Sequence, residues 1–320
     1  MHKPAFLITI DTEGDNLWQK HDSITTENAK YLPRFQELCE KYHFKPVYLT
    51  NYEMATDPFY IEFAKDVIVR NTAEIGMHLH AWNSPPIVPL TSDDWLHKPY
   101  LIEYTDAVMR EKVAYMTMLL EDTFQTKMHS HRAGRWAFDE RYARLLLEHG
   151  YQVDCSVTPK VNWQTAKGAP HGTGGTDYRH FPHHAYFIDE NDICREGSSP
   201  LLEVPMSIQY KHSALMNSIK EGYDRLRKKV RSPSVYWLRP MGGNNETMKR
   251  VVQQSLAQGA DYVEYMLHSS EYMPGGSPTF KTEQDIDRLY DDLDAFFAWL
   301  APQAQGMTLA EYYEYKRKAV

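Results

Sequence analysis

The chain has 320 residues and a mass of 37.3 kDa, with 42% hydrophobic and 24% charged residues. Those proportions are globular and exclude disordered and fibrous classes; this length buries a large core without covalent staples. Lys and Arg total 35 against 43 Asp and Glu, a net charge of −8 that argues against a general binder of nucleic acid or anionic membrane.

The three cysteines, Cys39, Cys155 and Cys194, form no C-x-x-C spacing and suit a reducing cytosol better than a disulfide framework. The first apolar run, Ala5–Ile10, is far shorter than the roughly 20 residues of a spanning helix. It reads as a core strand beginning almost at Met1, so the expectation is a cytoplasmic protein without a removable leader.

In chain order, Ala5–Ile10 is a predicted strand, and Asn28–Tyr42 a helix with Tyr31, Phe35, Leu38 and Tyr42 on one face. Pro46–Leu49 is a strand, Pro58–Val69 a helix, Ala73–His80 a strand and Glu103–Phe124 a long helix. Lys127–Arg132 is a strand, Asp139–His149 a helix stopped by Gly150, and Tyr151–Cys155 a strand. The segment 158–200, rich in Gly, Pro, His and Asn, is too long for a plain connection and reads as an insertion. Leu201–Pro205 and Ser234–Arg239 are predicted strands, with a basic helix near Ser218–Val230 between them. Asn245–Gln258 is a helix, Asp261–His268 a strand, and Thr282–Leu300 a helix opened by Thr282 and Asp285. A last short helix opens at Thr308.

Alternating strands and helices mean a parallel sheet with crossover helices, here about seven strands. No linker divides the chain, so the expectation is one closed or nearly closed barrel over 1–320, with C-terminal helices at 282–320. Parallel barrels carry their chemistry at the C-terminal ends of the strands, and five polar clusters follow predicted strands.

Asp11, Glu13 and Asp15 follow the first; three carboxylates this close repel unless a cation or shared proton relieves them. His78 and His80 share one face of an extended chain and form a two-nitrogen chelate for Zn²⁺ or a similar metal. With one carboxylate they leave a position open, as catalytic metal sites do. His129 and His131 form a rival pair, disfavoured by the neighbouring Arg132 and Arg135. Asp154 follows the fifth strand and is suited to hold an arginine; His268 follows the last. His171, His180, His183 and His184 lie in the long loop, where they are candidates to line a channel. Aromatic residues are 13%, including 22 Tyr and 7 Trp, which fits core filling or a sugar-facing surface.

The order of these motifs resembles the polysaccharide deacetylase family, the NodB-homology group or carbohydrate esterase family 4. Thr9-Ile-Asp11-Thr-Glu13-Gly14 is similar to its first motif, Glu74-Ile-Gly76-Met-His78-Leu-His80 to its second, and Arg132-Ala-Gly-Arg135 to its third. Asp154 and Leu267-His268 stand for the fourth and fifth. The resemblance implies a distorted (β/α)₇ barrel, one divalent metal, and removal of an acyl group from an N-acylated amino sugar. Two departures stand out. Thr12 replaces the family's second aspartate, so Glu13 is the expected ligand with Asp15 behind it. Trp82 stands where a second histidine would fall, so His80 is the expected replacement.

The implied metal, Zn²⁺ or else Co²⁺, Ni²⁺ or Mn²⁺, sits on Glu13, His78 and His80 and lowers the pKa of a water. Asp11 is then the implied base and His268 the acid, Arg132 keeps Asp11 ionised, and Asp154 orients Arg132. Trp82, Trp136 and Arg135 are the expected substrate contacts. The pattern is similar to the subset of the family tied to lipopolysaccharide or capsule biosynthesis. The rivals are a metal-free amidohydrolase acting on a cyclic ureide or formamide, and a carbohydrate-binding relic without turnover.

Overall fold

The computed structural model describes residues 3–18, 23–212 and 234–319. The strands are β1 (Ala5–Thr12), β2 (Pro46–Thr50), β3 (Glu74–Leu79), β4 (Ser130–Ala133), β5 (Val153–Asp154), β6 (Tyr186–Asp189), β7 (Asp192–Glu196), β8 (Leu202–Glu203), β9 (Ile208–Tyr210), β10 (Val235–Trp237), β11 (Tyr262–His268) and β12 (Gln305–Met307). The helices are α1 (Leu32–Lys41), α2 (Tyr52–Ala55), α3 (Pro58–Val69), α4 (Asp94–His97), α5 (Asp106–Phe124), α6 (Glu140–Glu148), α7 (Asn245–Ala257), α8 (Glu283–Leu300) and α9 (Leu309–Ala319).

Side chains two apart on a strand share a face, and β1 shows what that does here. Phe6, Ile8 and Ile10 point into the layer packed by Phe35 of α1 and Phe297 of α8. Ala5 and Leu7 point the other way, into the interior with Val47, Val153 and Leu202. Leu309, Tyr312 and Tyr313 of α9 fill that interior. The sheet therefore buries both faces, as a parallel sheet must.

Seven strands run parallel in the order β11-β1-β2-β3-β4-β5-β8. The fold is the distorted (β/α)₇ barrel expected from the sequence. No ladder joins β8 to β11 among the described residues. Instead the Tyr262 hydroxyl donates to the Pro205 carbonyl at 2.6 Å, and Glu264 N donates to Ser207 Oγ at 2.9 Å.

Two expectations are corrected. Ser234–Arg239 does not join the barrel: β10 pairs antiparallel with β9 in a separate ladder, and its residues are only half-buried. The insertion at 158–200 is partly ordered as the hairpin β6–β7, which adds antiparallel to β8. The helix expected near Ser218–Val230 lies outside the described residues. Cys39, Cys155 and Cys194 are free thiols. No helix among the described residues is long and apolar enough to cross a membrane.

Candidate active site

Strand register sets the site. Asp11 at the end of β1 lies beside His268 at the end of β11, and His78 on β3 lies beside Arg132 on β4. Four separate strands thus deliver Asp11, His78, Arg132 and His268 to one rim. Glu13 and His80 follow just beyond β1 and β3, both buried.

Glu13, His78 and His80 form a group that can hold a metal ion, their ligand atoms lying within 4.8 Å of one another. Glu13 Oε2 is 2.9 Å from His80 Nε2 and 3.6 Å from His78 Nε2, and the two imidazole nitrogens are 3.0 Å apart. Three atoms each about 2.1 Å from a tetrahedral ion stand roughly 3.4 Å apart, so this spacing fits a small divalent cation. The outer contacts fit as well. His78 Nδ1 lies 2.9 Å from the Arg132 carbonyl and donates to it, which leaves the lone pair on Nε2. The Trp18 indole donates to Glu13 Oε1 at 2.8 Å, leaving Oε2 toward the histidines. Burial pushes the Glu13 carboxyl up, but hydrogen bonds from both imidazoles hold it well below its ordinary value. Burial pushes His80 down to about 4, so its ring is neutral and available as a ligand.

Arg132, completely buried, donates through Nη1 to Asp11 Oδ1 at 2.6 Å. Burial opposes ionisation of Asp11, yet the guanidinium, helped by His78 and His268, keeps its carboxyl below the ordinary value. Arg132 is oriented by Glu264, at 2.6 Å from Nη2, and by Thr9 at 2.7 Å and the Cys155 carbonyl at 3.1 Å. The expected role of Asp154 is therefore corrected. Asp154 Oδ1 instead takes His131 Nδ1 at 2.6 Å, and the far nitrogen of His131 meets the Tyr142 hydroxyl at 2.7 Å. That buried chain also removes His131 as a rival metal ligand. Glu264 carried no signal in the sequence, because it sits inside an apolar strand, three residues before the motif at its end.

His268 Nε2 is 3.8 Å from Asp11 Oδ2, and its Nδ1 donates to Glu271 Oε2 at 3.1 Å. Arg239 in turn pairs with Glu271. Burial disfavours the imidazolium, but Glu271 and the site carboxylates raise His268 above its ordinary value.

Asp11, Glu13, His78, His80 and His268 line one pocket of about 230 Å³, walled by Trp18, Tyr100, Trp136 and Trp163, with Arg135 also in its lining. The expected contact Trp82 is not in the wall: it is 4% exposed and packs behind His80, ring centroids 4.4 Å apart. Trp18, 51% exposed, fronts the pocket instead. Asp15 does not back up Glu13, since its carboxylate accepts from Thr25 and from Asn28 N. None of the four loop histidines lines this pocket; the loop contributes Trp163 and Ala166.

Gly134 passes so close to the second histidine that a Cβ there would lie 2.3 Å from the Leu79 carbonyl and 2.8 Å from His80 Nδ1. Gly134→Ala is expected to displace His80, costing about 1–3 kcal/mol of stability by overpacking and weakening metal affinity. Metal titration beside a denaturant melt checks both; unchanged affinity would free His80 from that contact.

No family model and no curated protein sequence matches the chain. Among solved structures, it is similar to a chain from Parabacteroides distasonis provisionally described as a glycoside hydrolase/deacetylase, at 12% identity and TM-score 0.65, covering 100% of this chain and 72% of that one. A chain from Mycobacterium smegmatis, provisionally described as a polysaccharide deacetylase, matches at 13% identity and TM-score 0.55 over 99% and 92%. The 4-alpha-glucanotransferase of Thermococcus litoralis matches at 12% identity and TM-score 0.56 over 98% of this chain but only 40% of its own. The likeness covers nearly the whole of this chain, and what it establishes is the fold: the curled parallel barrel of polysaccharide-deacetylase type.

Proposed function

We propose that the chain is a metal-dependent hydrolase of the polysaccharide deacetylase family, removing an N-acetyl or other acyl group from an amino sugar. One observation carries the reading: two histidines and a carboxylate converge on a cation site beside a buried Asp–Arg pair, in a pocket walled by aromatic rings. The descriptions of the two deacetylase-like neighbours agree with it.

Glu13, His78 and His80 would hold the ion, Zn²⁺ being the natural choice for an N₂O donor set. When bound, it supplies Lewis acidity that polarises the acyl carbonyl and eases ionisation of the attacking water. Asp11, kept ionised by Arg132, accepts the water's proton. His268, held by Glu271, delivers a proton to the leaving nitrogen. Trp136, Trp18 and Trp163 offer faces for a sugar ring. Residues 1–320 would act as one catalytic domain. The free thiols support a reducing compartment such as the cytoplasm, and the motif pattern supports a place in lipopolysaccharide or capsule synthesis.

The metal-free rival has no use for the chelate. In the relic reading, Trp82 marks a lost ligand, but His80 supplies the nitrogen that position would have given. Acetate release from N-acetylated amino sugars, stopped by a chelator, tests the reading. Stoichiometric metal without acetate from any such sugar would favour the relic.

The pH profile gives a second test. His268 has its pKa raised, so it stays protonated above the usual imidazole range and the alkaline limb of kcat/KM lies correspondingly high. Glu271→Gln removes the anion next to it, so the limb should move to lower pH while the acid limb stays. An unmoved alkaline limb would remove His268 as the acid.

A further inference from the structure

Cations gather beside the aromatic pocket: Arg135 lines it, and Lys98 and Lys167 adjoin Arg135. Lys98 Nζ lies 4.9 Å from the Trp18 ring centre and donates to the Leu17 carbonyl at 3.0 Å. The Arg135 guanidinium lies 4.1 Å over the Tyr100 ring and donates to the backbone carbonyls of Lys98 and Lys167, the latter at 3.0 Å. Lys167 Nζ bonds the Gly172 carbonyl at 3.2 Å. Among the described residues, none of these three pairs with a carboxylate. Glu103, packed beside them, uses its carboxylate on the N–H groups of Tyr100 and Ala169. Half-buried arginines elsewhere behave differently: Arg141 pairs with Asp106 and Asp139, Arg179 with Asp177, and Arg239 with Glu271.

The backbone here is strained as well. Arg135 and Trp136 are successive non-glycine residues in the left-handed region, at φ 56° and 63°, and Lys98 is at 49°. Such conformations cost energy and persist where the surroundings fix them, which is common at ligand clamps. Burial and the neighbouring guanidinium hold the Lys98 amine below its ordinary value. An anion here would relieve both cations. Two of the five Arg135 N–H groups are committed to carbonyls, leaving donors for a forked contact.

We propose that the acylated sugar taken by this pocket carries an anionic substituent, a phosphate or a carboxylate, seated on Lys98 and Arg135. This rests on reading the pocket as the deacylase site. The pocket, about 230 Å³, is below the usual range for drug-sized ligands. With the acyl group at Asp11 and His268, a ring substituent would face Arg135, which lines the same pocket.

The test is calorimetric binding of N-acetylglucosamine, N-acetylglucosamine 1-phosphate and N-acetylmuramic acid to the full chain, with acetate release measured in parallel. At least one charged sugar should bind about tenfold or more tighter than the neutral one, the scale of a charge-assisted hydrogen bond. Added salt should shrink that advantage, and the double variant Lys98→Gln with Arg135→Gln should abolish it. Whichever charged sugar binds tighter identifies phosphate or carboxylate. Equal affinity for charged and neutral sugars, no binding of either charged sugar, or an advantage surviving in the double variant overturns the anion seat. The anion advantage without acetate from any sugar overturns the deacylase reading and leaves the seat standing.

Discussion

Asp11→Asn should lose about 10²–10⁴-fold in kcat, the usual share of a general base, while keeping fold and metal. The substitution is nearly isosteric; it removes the charge proposed to take the water's proton, which is also one of the two carboxylates facing Arg132, so some stability is lost with it while the fold is kept. Arg132 stays in place because Glu264, Thr9 and the Cys155 carbonyl still hold its guanidinium. The three metal donors are untouched, and none depends on Asp11 for a hydrogen bond. Acetate release, a thermal melt and metal content, measured on one preparation, separate these outcomes. Full activity in Asp11→Asn would make Asp11 only a structural partner of Arg132 and move the base elsewhere in the pocket.

Arg132→Gln should have the largest effect on stability. The wild-type guanidinium is completely buried and faces two buried carboxylates, Asp11 and Glu264, each at 2.6 Å. Removing one partner of a buried ion pair leaves uncompensated charge and typically costs about 3–5 kcal/mol. Burial already lifts Glu264 to about 8 with Arg132 present. Without Arg132 both carboxyls titrate above their unfolded values. The native state then binds more protons than the unfolded chain, and the variant gains stability as pH falls. Urea midpoints should therefore show a large deficit in mildly alkaline buffer that narrows in mildly acidic buffer. A loss independent of pH would mean that Arg132 acts through packing alone.

Much of this was legible in the sequence, for local reasons. Strand-end polar clusters stand out against apolar runs, so the sequence alone points Asp11, His78, His80 and His268 to one rim. Period-two geometry was enough to pair His78 with His80. What escaped depended on long-range packing. Glu264 reads as a stray charge within a strand until register sets it near Arg132. Trp18 and Trp163 lie in irregular chain, where no periodicity says which way a ring faces. Trp82 was misplaced for the reverse reason: beside His80 in sequence, it turns into the layer behind the histidine. Asp154 drew attention as an acid after a strand, but its register partner is His131 rather than Arg132.

Glu13, His78 and His80 are proposed to hold one catalytic cation. Elemental analysis of the purified protein against His78→Ala tests it most directly. One divalent metal per chain is expected in the parent and essentially none in the variant, with the melting transition retained. Equal metal in both, or metal lost only when His131 is changed, would contradict it.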